Sequence, residues 1–225
     1  MYLKKNTEKS TLSHTKCIRC GVCCQKGGPA LHYEDKTLFE KGVIDLDCLY
    51  TIRKGELVYD NVIERPEPAL SDIIKIKGQT HLHDSKAATC CFFNQETAGC
   101  AIYLKRPLEC RVLKCWDVRE SVRIYNKNRL TRKDILGRIK GLWELIEDHQ
   151  IQCSYIKFKE LLIKADLAQS SDLKHRKMMD EMIGYDKHLR ALMIQKNYLK
   201  ENTLDFIFGR PLAEGLKMQH YYRAL

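Results

Sequence analysis

Three cysteines at three-residue intervals, with a fourth directly after them, constrain this chain more than any other feature. Cys17, Cys20 and Cys23 stand three residues apart, and Cys24 follows. A loop with two residues between thiolates can curl around one metal centre, and Gly21 permits the positive φ that such a curl often needs. Repeated two-residue spacing is typical of [4Fe–4S] sites, in which three ligands come from one loop and the fourth from a distant segment. Structural zinc more often takes two separated pairs of cysteines, so the spacing favours an iron–sulfur cluster.

A second group of cysteines can supply the distant ligand. Within it, Cys110 lies between Arg106 and Arg111, and positive charge on both sides favours the thiolate form. We favour Cys91 over its neighbour Cys90, because Cys91 stands at the start of a predicted β arm. Neighbouring side chains point in opposite directions in extended backbone, so the adjacent cysteines leave open which member of each pair binds and whether there is one centre or two. The predicted metal ligands are Cys17, Cys20, Cys23, Cys24, Cys91, Cys100, Cys110 and Cys115.

The cellular compartment decides how the eleven cysteines are interpreted. Residues 1–8 are too polar for the apolar stretch of a cleaved secretory signal, and no apolar run approaches the roughly 20 residues of a membrane-spanning helix. We therefore expect a cytoplasmic protein without a membrane span. A reducing cytosol disfavours a disulfide framework, so metal binding is the leading explanation. Cys48 and Cys153, outside both groups, are interpreted as small apolar core residues.

The net charge of +10 raises the question of a polyanion partner. Clustered lysines and arginines bind nucleic acid by releasing counterions. Metal-bound thiolates lower this net charge, and basic residues alternate with acidic ones, as in Arg119 with Glu120 and in residues 159–164. Such alternation is typical of solvated helix surface, so we do not expect direct nucleic-acid binding.

A change of composition near Trp116 predicts an α+β protein in two parts. Residues 1–116 hold all the cysteines except Cys153 and four of the five prolines. They are expected to form a small, loop-rich metal-binding module with short β-hairpins. Residues 117–225 are expected to form an all-helical region packed on that module.

Alternating polarity places the predicted strands. Residues 50–53 and 56–60 are predicted to form a hairpin around a Lys-Gly turn, and residues 73–77 a third strand. Two further β arms are expected to bring Cys91 and Cys100 together.

Helical periodicity begins at residue 131. Thr131 and the acid three residues later form a capping pattern, and apolar residues at helical spacing predict one helix through Ile146. Ser154 is the candidate cap of a second helix. Residues 170–172 supply the start signal of a third, which runs to about Lys200.

The two cysteine groups contain four short motifs, which are CxxCGxCC at 17–24, Cys-Phe-Phe at 91–93, Cys-x-Ile-Tyr at 100–103 and Arg-Pro-x-x-Cys-Arg at 106–111. Together they resemble the YkgJ-like cysteine-cluster family, whose CxxCxxCC domains are described as chelating zinc or iron. The resemblance spans residues 15–116 and implies a metal-chelating module, usually taken to bind an iron–sulfur cluster. One branch of the family is part of a flagellin lysine methylase, a much longer enzyme, so only the metal module is carried over. A long insertion at 30–89 departs from the family pattern.

Three functional hypotheses follow. The leading one is an iron–sulfur protein with a [4Fe–4S] cluster that transfers electrons or supports a redox enzyme, with a protein partner binding the helical half. The alternative is a zinc-stapled interaction module without redox chemistry. The third is a metal-dependent enzyme of unknown substrate, for which Glu109, Asp117 and His83 are acid/base candidates. His81 and His83 are also possible ligands, although we interpret them as part of a polar loop.

Overall fold

The computed structural model describes residues 16–81, 84–167 and 173–215. It confirms the α+β class, because short antiparallel strand pairs form in the N-terminal half and helices in the C-terminal half. The strands are β1 (Leu49–Ile52), β2 (Leu57–Asp60), β3 (Arg65–Pro68), β4 (Ile73–Ile76), β5 (Gly78–His81), β6 (Asp84–Cys90), β7 (Phe93–Asn94) and β8 (Gly99–Cys100). The helices are α1 (Lys36–Glu40), α2 (Leu108–Val112), α3 (Arg119–Ile124), α4 (Arg132–Leu136), α5 (Lys140–Gln152), α6 (Tyr155–Leu167), α7 (Leu173–Gln195) and α8 (Leu204–Ile207).

The strands pair differently from the predicted hairpin. β1 and β2 form close to the expected residues, but β1 pairs with β4 and β2 pairs with β3. The turn between β1 and β2 explains the difference, because the backbone of Gly55 donates to Ala69 at 2.8 Å and Ala69 donates back to Glu56 at 2.9 Å. Residue 69 thus takes the hydrogen bonds that a β1–β2 hairpin needs.

The β5–β6 hairpin was not predicted from the sequence. Gly78 lies opposite Cys90 and Gln79 opposite Thr89 in an antiparallel register. The hairpin therefore ends with Cys90 beside the start of β5. His83, proposed as a ligand or acid/base group, lies outside the described residues, and nothing is described of the His81 side chain.

The helix predicted from residue 131 through Ile146 is wrong in its length, although its capping box is confirmed. The Thr131 hydroxyl accepts from the Asp134 backbone N–H at 3.2 Å, and the Asp134 carboxylate accepts from the Thr131 N–H at 2.8 Å. α4 then ends at Leu136, and α5 begins only at Lys140. Gly137, a residue that costs about 1 kcal/mol inside a helix, lies at this break.

The next two helices are confirmed. α6 begins directly after Ser154, whose hydroxyl accepts from the Lys157 N–H at 3.4 Å. α7 passes through Gly184 without a break. Its predicted start signal at 170–172 lies outside the described residues. Among the helices of the described ranges, none has both the length and the apolar character needed to cross a membrane.

The described chain forms two compact units, each made of more than one segment of the sequence. The first consists of 16–48, Tyr59–Pro66 and Lys75–Leu130, and the second of Leu49–Val58, Glu67–Ile74 and 131–215. β1 belongs to the second unit, where the Thr51 hydroxyl donates to the Phe206 carbonyl at 2.7 Å. The C-terminal helices therefore fold together with strand residues from the N-terminal half.

Each unit has its own buried residues. In the first, Leu31, Ile76 and Leu130 are buried, and the Leu130 N–H donates to the Leu31 carbonyl at 3.1 Å. In the second, α6 and α7 supply most of a core that also contains Cys153, which confirms the interpretation of Cys153 as a core residue. Its members are Cys153, Tyr155, Phe158, Leu161, Leu162, Ala165, Met179, Met182 and Leu212.

Candidate metal centre

The loop that carries the first cysteines is held in a curled conformation. Arg19 and Gly21 both have positive φ, at 58° and 75°, and the Gln25 N–H donates to the Gly21 carbonyl at 3.0 Å. The Arg19 N–H points at the Cys17 Sγ at 3.4 Å. Backbone N–H groups that face sulfur stabilise a thiolate, so this curl is suited to holding charged ligands.

Gly21 also fixes the loop against the β7–β8 hairpin. A Cβ atom at this position would lie 2.3 Å from Cε2 of Phe93, which is far inside van der Waals contact. Phe93 is the cross-strand partner of Cys100. The glycine thereby lets the first cysteine loop pack directly beside a strand pair that carries a cysteine of the second group.

A stack of side chains joins the same loop to the segment before α2. The guanidinium groups of Arg19 and Arg106 lie over the Tyr103 ring, 4.0 and 3.8 Å from its centroid. Two guanidiniums can approach one ring this closely only from its two faces, and each such contact is favourable by about 0.5–2 kcal/mol. The stack places positive charge next to both cysteine groups.

Helix α2, which holds Cys110, is anchored at its start. The buried Asp35 carboxylate accepts from the Leu108 N–H at 2.8 Å and from the His32 N–H at 3.0 Å. Within α2, the Glu109 carboxylate accepts from the Ala30 N–H at 2.8 Å and from Arg129 at 2.7 Å. These bonds fix the position of Cys110 relative to the segment that follows the first cysteine loop.

The carboxylates proposed as acid/base groups are both engaged in ion pairs. Burial opposes ionisation of Glu109, but its hydrogen bond with His32 and the charge of Arg129 hold its pKa at about 2. Asp117 is hydrogen-bonded to the Arg119 side chain at 2.8 and 2.9 Å, which lowers its pKa to about 2. Neither group is tuned to exchange a proton near neutral pH.

Thiols from separate segments lie within electrostatic range of one another. Burial raises the pKa of Cys24 to about 12, and the thiols of Cys23, Cys100 and Cys90 act in the same direction. Burial also raises the pKa of Cys110, and here the thiols of Cys90, Cys23, Cys24 and Cys100 add to the effect. We call this set the thiol group; its members are Cys23, Cys24, Cys90, Cys100 and Cys110.

The thiol group fits a metal cofactor through the chemistry of its donors. Several thiolates cannot share a partly buried space unless a cation compensates their charge, and a bound metal ion deprotonates a thiol outright. Burial raises the pKa of Cys100, and the positive charge of Arg106 opposes part of that rise. Arg111, by contrast, lies 4.0 Å from the Asp35 carboxylate.

Cys90 and Cys91, of which the sequence favours Cys91 as the ligand, have different neighbours in the structure. Cys90, at the end of β6, interacts electrostatically with Cys24, Cys100 and Cys110, and a hydrogen bond from Cys91 lowers its pKa to about 7. Cys91 interacts instead with Cys90 and Cys48, and these interactions together with burial raise its pKa. Cys48, interpreted as a core residue, is only partly buried and lies next to another thiol.

The remaining predicted ligands lie at the surface. Cys17, Cys20 and Cys115 are exposed, as is Cys23. Within the described residues, the predicted cysteines form no set of three whose Sγ atoms all lie within 4.8 Å of one another. The described thiols therefore do not converge on a single point in this structure.

A second cluster of metal-ligand side chains lies in the other unit and was not predicted. His149, Cys153 and Asp186 are buried, with one ligand atom each within 4.8 Å of the others. The Asp186 carboxylate already accepts from His149, from Arg190 and from the Leu212 N–H, each at 2.8 Å. Since Arg190 balances the charge of Asp186, we interpret this cluster as a hydrogen-bonded core network.

The fold and the thiol group define a metal-binding protein with a cysteine-rich chelating module and a helical second half. The family "CxxCxxCC: Putative zinc- or iron-chelating domain" matches residues 16–134, slightly more than half of the chain. The chain belongs to this family, and metal binding is its shared property. The match confirms the resemblance drawn from the cysteine motifs and extends beyond Trp116 to the capping box of α4. No curated protein and no solved structure matches the chain.

Proposed function

We propose that the chain holds an iron–sulfur cluster in the thiol group and serves as an electron carrier or as an accessory to a redox enzyme. The observation that carries this proposal is the spacing of the thiols. They come from the first cysteine loop, the end of β6, β8 and α2, and they interact electrostatically without converging on one point.

The distance between the ligand sulfurs distinguishes an iron–sulfur cluster from a single zinc ion. Tetrahedral zinc with Zn–S bonds of about 2.3 Å holds its sulfurs about 3.8 Å apart. A [4Fe–4S] cluster takes one thiolate on each of its four irons, so its ligand sulfurs would stand farther apart than around one ion. The described cysteines contain no three Sγ atoms within 4.8 Å of one another, which fits ligands on separate irons better than ligands around one ion.

The proposed ligands are Cys90, Cys100 and Cys110, with one or both of Cys23 and Cys24. Cys90 replaces Cys91 in this set, because Cys90 is the member of that pair within range of Cys24 and Cys110. Cys17 and Cys20 lie on the same curled loop and would be available there as further thiolate ligands. Whether a second centre forms around Cys48 and Cys91 is decided by counting iron.

When bound, the cluster supplies one-electron redox chemistry. The protein contributes charge and exclusion of water. Arg19 and Arg106 place positive charge beside thiolates whose cluster becomes more negative on reduction, which favours the reduced state. Gly21 and Phe93 keep the loop packed against β7 on the buried side.

The test is spectroscopic. Protein purified without oxygen is expected to be brown, with broad visible absorption that bleaches on reduction and an EPR signal of the reduced cluster. Colourless protein with stoichiometric zinc contradicts the proposal and supports the zinc-stapled module instead. As a control, a Cys153→Ala variant is expected to keep the spectrum of the unmodified chain, since Cys153 lies in the core of the second unit.

A further inference from the structure

Two of the segments that carry cysteines, 16–26 and 101–116, are rich in basic residues and poor in acidic ones. Segments 16–26 and 101–116 contain one carboxylate, Glu109, which Arg129 already pairs. Of their basic residues, Arg106 is half-buried on Tyr103 and the others are exposed. The basic residues of these segments are Lys16, Arg19, Lys26, Lys105, Arg106, Arg111 and Lys114.

The same segments expose large apolar side chains. Leu104 is 92% exposed and Ile18 57% exposed, and Val22, Leu113 and Trp116 are also exposed. Single exposed apolar residues are ordinary, but several on the segments that bear the metal ligands are typical of a binding surface. Charged residues around apolar ones are the composition of a protein interface with a polar rim. We call these two segments the cationic face.

We infer that the cationic face binds an acidic protein that carries its own redox cofactor and exchanges single electrons with the cluster. The inference rests on the proposed function. Cys23, one of the proposed ligands, is exposed within segment 16–26, so a partner docked there comes close to the cluster. Electron exchange falls steeply with distance, so docking beside an exposed ligand shortens the path of the electron.

The charge of the cationic face indicates which kind of molecule it binds. A surface with one sign of charge steers an oppositely charged protein and raises its association rate by about 10- to 1,000-fold, with strong dependence on salt. Exposed aliphatic side chains such as Leu104, Ile18 and Val22 suit an apolar patch on a protein, whereas single-stranded nucleic acid favours aromatic stacking platforms. The electron is the only species transferred: the donor cofactor is oxidised by one electron and the cluster is reduced by one.

The cationic face differs from the helical half, the surface expected from the sequence to bind a partner. Exposed lysines occur on both. On α6 and α7, however, exposed acids lie among them, as with Lys159 beside Glu160 and Lys177 near Asp180 and Glu181. The helical half therefore supplies a matched control surface.

The test uses an acidic plant-type ferredoxin as the probe. Stopped-flow mixing measures electron exchange with the cluster-loaded full-length chain, started from whichever protein has the lower potential. We expect the second-order rate constant to fall at least tenfold between about 0.02 and 0.5 M salt. The K26E/K105E/K114E variant of the cationic face is expected to lower this rate constant at least tenfold at low salt. The control variant K159E/K164E/K187E is expected to lower it by less than twofold.

Reduction by dithionite and the iron and sulfide content separate the two proposals. A loaded, dithionite-reducible cluster whose exchange with ferredoxin is independent of salt overturns the docking inference and leaves the proposed function intact. A chain without iron and sulfide overturns both. Salt-independent exchange together with binding of a random single-stranded oligonucleotide that K26E/K105E/K114E abolishes assigns the face to nucleic acid and overturns the inference. If the charge-reversal variant loses its cluster, the salt dependence of electron exchange in the unmodified chain decides whether the docking inference holds.

Discussion

At the scale of single residues, Gly21 does two things that another residue cannot do together. Its φ of 75° lies in the left-handed region, and its missing Cβ leaves room for the Phe93 ring. Gly42 has a similar φ of 61°, but no atom lies within 4 Å of the position that a Cβ would occupy there. Substitutions at these two glycines therefore distinguish the cost of backbone strain, which both carry, from the cost of a steric clash, which only Gly21 carries.

Gly21→Ala is expected to lower the bound iron per chain by more than half, because the loop must move away from β7. Gly42→Ala carries only the backbone cost, about 1–2 kcal/mol, and is expected to keep its full iron content. Iron analysis of both variants, purified in parallel without oxygen, checks this. Equal iron in Gly21→Ala and the unmodified chain contradicts the packing argument.

Cys90 and Cys91 allow a sharper test of the ligand set. Cys90→Ser is expected to lose most of the cluster, since the Cys90 thiol lies among Cys24, Cys100 and Cys110. Cys91→Ser is expected to retain most of it, and Cys48→Ser serves as the control for disturbing the neighbouring thiol. The ratio of visible to protein absorbance measures cluster occupancy. The reverse order of losses supports the choice that the sequence alone suggested.

At the scale of elements, α2 depends on a carboxylate that lies far away in sequence. Asp35 accepts from backbone N–H groups at both His32 and Leu108. Asp35→Ala leaves these donors without their acceptor, at roughly 1–3 kcal/mol for each buried donor. We expect faster hydrogen exchange at residues 108–112 and partial loss of metal, since Cys110 lies on α2. The exposed neighbour Glu34 gives the control, and equal exchange rates in Asp35→Ala and Glu34→Ala rule out this anchoring role.

Local patterns predicted several elements because their causes are local. The Thr131 capping box, the start of α6 at Ser154 and the β4 strand depend on neighbouring residues, and all three are confirmed. The β1–β2 pairing failed because Ala69, fourteen residues from Gly55, takes the hydrogen bonds of that turn. Non-local competition of this kind leaves no trace in polarity patterns.

The candidate site was predictable in its ligand type and less so in its geometry. The spacing of Cys17, Cys20 and Cys23 indicated a metal-binding loop, and the family match supports that interpretation. The orientation of Cys90 depends on the β5–β6 hairpin, and the position of Cys110 depends on Asp35. Neither long-range contact could be predicted from the residues around each cysteine.

At the scale of the whole molecule, acid is expected to lower the free energy of unfolding of the second unit. Burial lowers the pKa of His149 from 6.5 to about 4, although the hydrogen bond that His149 donates to Asp186 opposes this, and the charges of Arg53 and Arg190 lower it further. Between pH 6.5 and 4 the unfolded chain therefore binds a proton that the folded chain does not, so folding loses up to about 3 kcal/mol as the pH falls.

The second unit is accordingly expected to melt at lower temperature at pH 5 than at pH 7. In a Trp116→Phe background Trp143, on α5, is the remaining tryptophan, and its fluorescence reports this unit. His149→Gln is expected to flatten the pH dependence, whereas His188→Gln, at an exposed position on α7, is expected to leave it unchanged. An identical slope in His149→Gln contradicts the assignment.

The central claim is that cysteine thiolates from separate segments hold an iron–sulfur cluster. Iron, zinc and acid-labile sulfide measured per chain on one sample purified without oxygen test it most directly. One [4Fe–4S] cluster predicts about four irons and about four sulfides per chain with little zinc, and a second centre raises both counts together. About one zinc per chain with no acid-labile sulfide contradicts the account.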